Sequence, residues 1–234
     1  MLESLKSFFS KKNANSALDS ESESKLSHYQ LMATADKKTF ADSCEFVAVD
    51  FETTGLNFKT DSIISMGFCP LKNDVIRLAD CLHLVLKIDQ KLMGQNVTIH
   101  GLTDDALVRG VSQQEALDVF MRYTQGKVII AHYHGIEERF TQSLALTQLG
   151  SKLPLRFVDT FSIAEKQAHR LNKPVQPNAL RLFNLRTQMN LPNYKAHNAL
   201  EDAISTAELF LAQKANINQD LSKIRLSELG FSKC

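Results

Sequence analysis

Asp50-Phe51-Glu52-Thr53-Thr54-Gly55 closes the apolar run Phe46-Val47-Ala48-Val49 and puts two carboxylates where a strand is already burying itself. Side chains two apart on a strand share a face, so Asp50 and Glu52 leave the sheet on the same side. Neighbouring like charges push one carboxyl toward its protonated form unless a partner relieves them, and a divalent cation with oxygen ligands is the simplest partner. A lone Asp-x-Glu is equally what a solvated strand end looks like, so its meaning depends on the rest of the chain.

Composition sets the bounds. The 234 residues are 44% hydrophobic and 23% charged, enough for one well-buried domain. Lys and Arg number 27 against 26 Asp and Glu, so no broad basic surface for wrapping duplex nucleic acid is expected, and any such contact should be small and local. Cys44, Cys69, Cys81 and Cys234 show neither CxxC nor CxxH spacing, which argues against a zinc motif and a disulfide framework and fits a reducing cytoplasm. Residues 1–12 lack an apolar core of signal-peptide length and no segment approaches membrane-spanning length, so no membrane association is expected.

Outward from the opening stretch, three segments read as strands: 46–50, 62–68 and 75–86, the last two by β-branched content and alternation, together suggesting a meander. Helical periodicity over 113–123 precedes the buried strand Val128-Ile129-Ile130-Ala131, which feeds a helix over 136–149. A strand leading so directly into a helix is an α/β signature. Residues 156–160 read as a short fifth strand. The strongest helix covers 199–214, with Leu200, Ala203, Ile204, Ala207 and Leu211 on one stripe. Asn198 is its expected N-cap, with Glu201 placed for a capping box.

Residues 1–43 read as a serine-rich, partly disordered extension: 1–27 carry eight serines, including Ser20-Glu21-Ser22-Glu23-Ser24, while 29–41 allows a short packed helix. The folded domain is expected over 44–216, and 217–234, with its spaced leucines and Phe231, as a tail docking on the domain or on a partner.

His197-x4-Asp202 brings an imidazole just outside a helix and a carboxylate inside it toward one cleft. Together with Asp50-x-Glu52, the segment Ile99-His100-Gly101-Leu102-Thr103 and the turn Ala131-His132-Tyr133-His134-Gly135-Ile136-Glu137, it resembles, in content and order, the DEDDh 3′–5′ exonucleases. That family contains the proofreading epsilon subunit of DNA polymerase III, RNase T and oligoribonuclease. The resemblance spans residues 46–211 and implies an α/β, ribonuclease H-like fold, a five-stranded mixed sheet flanked by helices.

The family's first motif falls on Asp50 and Glu52 and its third on His197 and Asp202. In its second motif Asn ordinarily follows the histidine and an aspartate closes the turn, whereas here Tyr133 and Glu137 stand. Glutamate keeps the charge, and the family's residue at this place mostly holds a metal through water, so the added methylene is tolerable. Glu138, rotated about 100° along the helix, reads as a surface charge. His132 and His134 read as hydrogen-bonded structure rather than ligands, and Asp159-Thr160, at a place where the family often has an acid and Thr, as strand-end capping or as support behind the site.

The resemblance implies two divalent ions, Mg²⁺ or Mn²⁺, which suit oxygen ligands. Asp50 would bridge them, Glu52 and Asp202 would complete one ion's ligands, and Glu137 would act through water. His197 would be the general base, since an imidazole titrates near neutral pH. Thr53, Thr54, Gly55 and Leu56 would meet the terminal nucleotide, Leu56 as an apolar wedge by the last bases, although Gly55 is equally a residue that merely permits a tight turn. Phe51, alternating with the acids, is assigned to the core. The expected activity is hydrolysis of single-stranded DNA or RNA 3′ ends to nucleoside 5′-monophosphates, with a DNA polymerase subunit as a possible partner. The alternatives are a non-catalytic nuclease-fold module that recruits a polymerase or other partner, and a phosphoesterase for small nucleotides.

Overall fold

The computed structural model describes residues 20–87, 107, 109–172, 174–195, 197–218 and 220–234. The segment 99–103, with His100, falls outside them. Strand β1 (Phe46–Thr53) runs antiparallel to the ten-residue β2 (Ile63–Lys72) and parallel to β5 (Val128–Ala131). Beyond β5 come the parallel β6 (Arg156–Asp159) and the antiparallel β7 (Ser232–Lys233). On its far edge β2 pairs with both β3 (Val75–Ile76) and β4 (Leu82–Val85). The sheet is therefore mixed, as expected. Among the described residues it has seven strands rather than five, and without the two-residue β3 and β7 the five longer ones remain.

Period-two burial divides β1 between two cores. Val47, Val49 and Phe51 face one layer with Leu117 and Phe120 of α2 (Gln113–Thr124) and Phe140 of α3 (Gly135–Leu149). Phe46 and Ala48 face the other, with Ala203, Ala207 and Phe210 of α6 (Ala199–Ile217). Phe51 is buried and meets Phe120 edge-on at 6.2 Å, the core role expected of it. The next two positions on the α6 side are Asp50 and Glu52, so the layer that buries phenylalanine at one end of the strand turns acidic at the other.

Several expectations are corrected. The strand anticipated over 75–86 breaks at a 3-10 turn, Leu78–Asp80, and both pieces return to β2, so no simple meander forms. Thr160 leaves the sheet to start α4 (Thr160–Arg170), capped by the Asp159 carboxylate, which accepts from Phe161 N–H at 3.0 Å. Neither α4 nor α5 (Leu182–Gln188) was anticipated. The serine–glutamate run lies inside α1 (Ser20–Met32), where Leu26 and Tyr29, three apart on one helical face, are buried against the domain. The Tyr29 hydroxyl lies 2.9 Å from Thr124 Oγ1, and the Arg156 guanidinium donates to the carbonyls of Ala33 and Ala35. In the tail, Ile224, Leu226 and Leu229 are buried with α6, the domain being one of the two docking places expected for it, and β7 extends the sheet.

Candidate active site

Three local devices bring the acids together. The first is the β1 register, which sets Asp50 opposite Gly67 and Glu52 opposite Ser65 before the pairing shifts between Glu52 and Thr53. The second is Gly67 itself. A Cβ there would lie 2.0 Å from the Ala199 carbonyl oxygen and 2.6 Å from the Leu200 nitrogen, so only glycine lets the start of α6 close onto β2 beside Asp50. The third is the α6 cap. Asn198 Oδ1 accepts from the N–H groups of Leu200 (3.0 Å) and Glu201 (3.2 Å). Glu201 is exposed, and the expected capping box lacks its return half among the described residues.

Asp50, Glu52 and Asp202 each offer a carboxylate oxygen within 4.8 Å of the others. Glu52 and Asp202 are buried, while Asp50 keeps a partial opening to solvent. Asp202 Oδ2 accepts from His197 N–H at 3.2 Å, and Oδ1 is buried with no hydrogen-bond partner among the described residues. His197 has φ +70°, a left-handed turn just before the helix, and is exposed. Glu137 lies in the first turn of α3, buried, with Oε2 also without a partner among the described residues. It stands outside the close trio but near enough to act on Asp50. Glu138 points away, more exposed, with Oε2 3.9 Å from His134 Nε2.

The protonation energetics follow from this crowding. Loss of hydration holds Asp50 well above the usual carboxylate range, and repulsion from Glu137, Asp202 and Glu52 adds to it. Burial pushes Glu137 up to about 8 against hydrogen bonds from its own N–H and that of Phe51, with Asp159 repelling it. Asp202 is pushed up to about 6, again by burial first, with the His197 N–H pulling the other way. A buried carboxylate oxygen without a donor is costly unless a cation or proton meets it. Two such oxygens facing an all-oxygen donor set fit divalent cations.

The neighbouring histidines are tied to the fold. His132 Nδ1 lies 2.8 Å from Thr160 Oγ1, and burial lowers His132 to about 4. His134 Nδ1 lies 3.0 Å from Asp159 Oδ2, and that hydrogen bond raises His134 to about 10. Burial alone would raise Asp159, but the bonds from His134 and the N–H groups of Tyr133 and Phe161 hold it below the usual range. Tyr133 takes φ +68° and is exposed. Asparagine tolerates that left-handed position better than tyrosine does, and Asp159 Oδ1 compensates by accepting from Tyr133 N–H at 2.9 Å.

At the loop after β1, Thr53 Oγ1 donates to the Gly55 carbonyl (2.7 Å), and Thr54 and Ser62 are joined by two bonds of 2.9 Å. Gly55 does not need positive φ; a Cβ there would meet the Asp61 carboxylate at 2.5 Å, so its role is close approach. Leu56 projects into solvent, 77% exposed. Sequence reasoning missed Gly67, whereas the supporting place read for Asp159 is the one it takes. A glycine inside an otherwise apolar strand was the available signal for Gly67.

Comparison with known proteins bears on the family and the fold. The chain is 32% identical over 173 residues to the DNA polymerase III subunit epsilon of Treponema pallidum (strain Nichols), covering 73% of this chain and 77% of that one. It is 27% identical over 181 residues to the PolC-type DNA polymerase III of Thermotoga maritima, covering 76% of this chain but only 12% of that much longer protein. Among solved structures, cell-death related nuclease 4 (CRN-4) shares the fold with a TM-score of 0.63 at 16% identity, over 74% of this chain and 64% of that one. The family model described as Exonuclease (RNase_T) matches residues 47–210, and on that match the chain belongs to the RNase_T exonuclease family, with a ribonuclease H-like fold.

Proposed function

We propose that this protein is a DEDDh-type 3′–5′ exonuclease acting on single-stranded DNA or RNA ends and releasing nucleoside 5′-monophosphates. The observation that carries the reading is the convergence of Asp50, Glu52 and Asp202 at one strand end, with an Asp202 oxygen buried and unpartnered. Asp50, Glu52 and Asp202 would hold two divalent ions, Mg²⁺ or Mn²⁺, with Glu137 acting through water. When bound, such ions stabilise the charge that develops on the attacking and leaving oxygens of a phosphodiester.

The chain's own residues supply the rest. His197, exposed at the mouth and turned by its left-handed backbone, takes the proton from the attacking water. Its N–H holds one Asp202 oxygen and leaves the other for a cation. Thr53, Thr54 and Gly55 offer backbone groups to the terminal nucleotide, and the solvent-facing Leu56 gives its base an apolar surface. Gripping an end requires only a few nucleotides, in keeping with the near-neutral charge. The kinship with polymerase III chains makes a polymerase subunit the partner class to test.

The test is a product ladder from matched DNA and RNA oligonucleotides, labelled at the 5′ end, with Mg²⁺, Mn²⁺ or chelator. Stepwise shortening that stops with chelator and is absent from Asp50→Ala and Asp202→Ala is expected. Binding of ends with no release under either metal would make the chain the non-catalytic module instead, and full activity in either variant would exclude this site.

A further inference from the structure

We propose a second metal site, distinct from the acidic trio, formed by His134, Glu138 and Cys234 and suited to Zn²⁺. One ligand atom from each lies within 4.8 Å of the others. The residues lie about a hundred positions apart, in the middle and at the end of the sequence, and are held by different elements. His134 caps α3 and Glu138 sits four residues on, hence on the same face of the helix. Cys234 follows β7, which pairs with β6 through Arg156↔Lys233 and Phe157↔Ser232, and the Cys234 N–H donates to the Leu155 carbonyl at 3.1 Å. Sheet register therefore fixes the thiol's position relative to the helix.

Three further observations point to a metal rather than to a chance cluster. The His134 Nδ1 side is held by Asp159 at 3.0 Å, and Asp159 is itself fixed by Tyr133 N–H, Phe161 N–H and the Ser162 hydroxyl. A carboxylate on one imidazole nitrogen is the usual support of a metal-binding histidine, orienting the ring and leaving the other nitrogen for the ion. That other nitrogen, Nε2, is 3.9 Å from Glu138 Oε2, too long for a direct hydrogen bond, while the imidazole also meets the Cys234 thiol. Tetrahedral zinc, with bonds of about 2.0–2.3 Å, sets its ligand atoms roughly 3.3–3.8 Å apart. Finally, the imidazole lies against the Phe157 ring at 5.2 Å, which restricts its plane.

The donor set decides the metal. One imidazole, one thiolate and one carboxylate suit the borderline-soft Zn²⁺, whereas the oxygen-only trio suits Mg²⁺ or Mn²⁺. Three protein ligands leave the fourth position to water, and the partial exposure of His134 and Glu138, 22% and 31% of their side chains, provides the opening. An ion here would tie the edge strand to the helix that carries Glu137. The cysteine spacing could not reveal the site, because its other ligands lie far away in sequence.

The experiment uses the full chain, reduced and stripped of metal, with excess Mg²⁺ present to occupy the acidic trio and Co²⁺ as the optical probe. One equivalent of Co²⁺ should produce thiolate-to-cobalt charge-transfer absorption that Zn²⁺ abolishes by displacement. Cys234→Ser should lose the absorption while keeping its far-ultraviolet dichroism. Glu138→Gln, which leaves β7 untouched, should weaken the titration by at least about 10-fold, the lower bound for losing even an outer partner of a metal-bound histidine. Asp50→Asn should leave it intact. No charge-transfer band, a band surviving in Cys234→Ser, or a titration unchanged in Glu138→Gln or lost in Asp50→Asn would overturn the proposal.

Discussion

At the scale of single residues, two positions separate chemistry from support. His197 is exposed and contacts Asp202 through its backbone N–H, so its ring can be removed without disturbing that bond. His197→Ala should slow nucleotide release by roughly 10²–10⁴-fold, the range for losing a general base, with metal-induced stabilisation kept. A parallel loss of metal affinity, measured by calorimetric titration, would make the imidazole a ligand. Glu137 is the residue at which this chain departs from the family's aspartate. Standing outside the close trio, it has room for a solvent-mediated contact, so Glu137→Asp should retain substantial activity and Glu137→Ala should lose most of it. Steady-state rates across the pair decide this, and equal rates in all three proteins would leave the site running on Asp50, Glu52 and Asp202 alone.

At the scale of elements, the decisive contact is between β2 and the start of α6. A methyl group at Gly67 would overlap backbone rather than a flexible side chain, since the nearest atoms are the Ala199 carbonyl and the Leu200 nitrogen. Gly67→Ala should therefore cost about 1–3 kcal/mol, the usual toll of overpacking, read from denaturant midpoints. It should also move α6 and with it Asp202, so activity should fall by more than the small loss of folded protein explains. A variant with unchanged midpoint and rate would show that the helix can recede freely. The strand carrying the first acids was legible from its apolar run, and the helix carrying Asp202 from its apolar stripe and its Asn198 cap. Their approach was not, because a glycine in a strand announces a close neighbour without naming it.

At the scale of the whole molecule, the acids make stability depend on pH in a direction opposite to the ordinary salt-bridged carboxylate. Asp202 and Glu137 have folded-state values raised to about 6 and about 8. Between the unfolded value and the raised one, the folded chain holds more protons than the unfolded chain, so stability falls as pH rises. For Asp202 the loss runs from about pH 4 to 6, on the order of 3 kcal/mol if it acted alone; for Glu137 it extends to about pH 8. The metal-free protein should therefore melt at a lower temperature at pH 8 than at pH 6. Millimolar Mn²⁺ should restore more at pH 8, because the ligands must be deprotonated to bind it. At a hundred times the dissociation constant the gain should be about 2.7 kcal/mol. Scanning calorimetry at both pH values checks this, and a melting temperature indifferent to Mn²⁺ would remove the metal reading.

The sequence by itself determined which face of β1 the first acids take, because side-chain alternation in a strand is a local property of the backbone. Helical rotation separates Glu137 from Glu138 whatever the surroundings, and it is Glu137, the one matching the family's second motif, that the structure buries. Hydrophobic period marked the long strands and helices for the same reason. The tertiary structure alone decided that residues 20–32 belong to the packed body, because few of their side chains are apolar and their burial depends on surfaces made elsewhere, and it alone chose the domain rather than a partner for the leucines of the tail. It alone brought Asp202 to Asp50 across Gly67, and Cys234 to His134 across the β6–β7 pairing. Contacts between residues distant in the chain are set by how layers pack, and no local pattern encodes the distance between two layers.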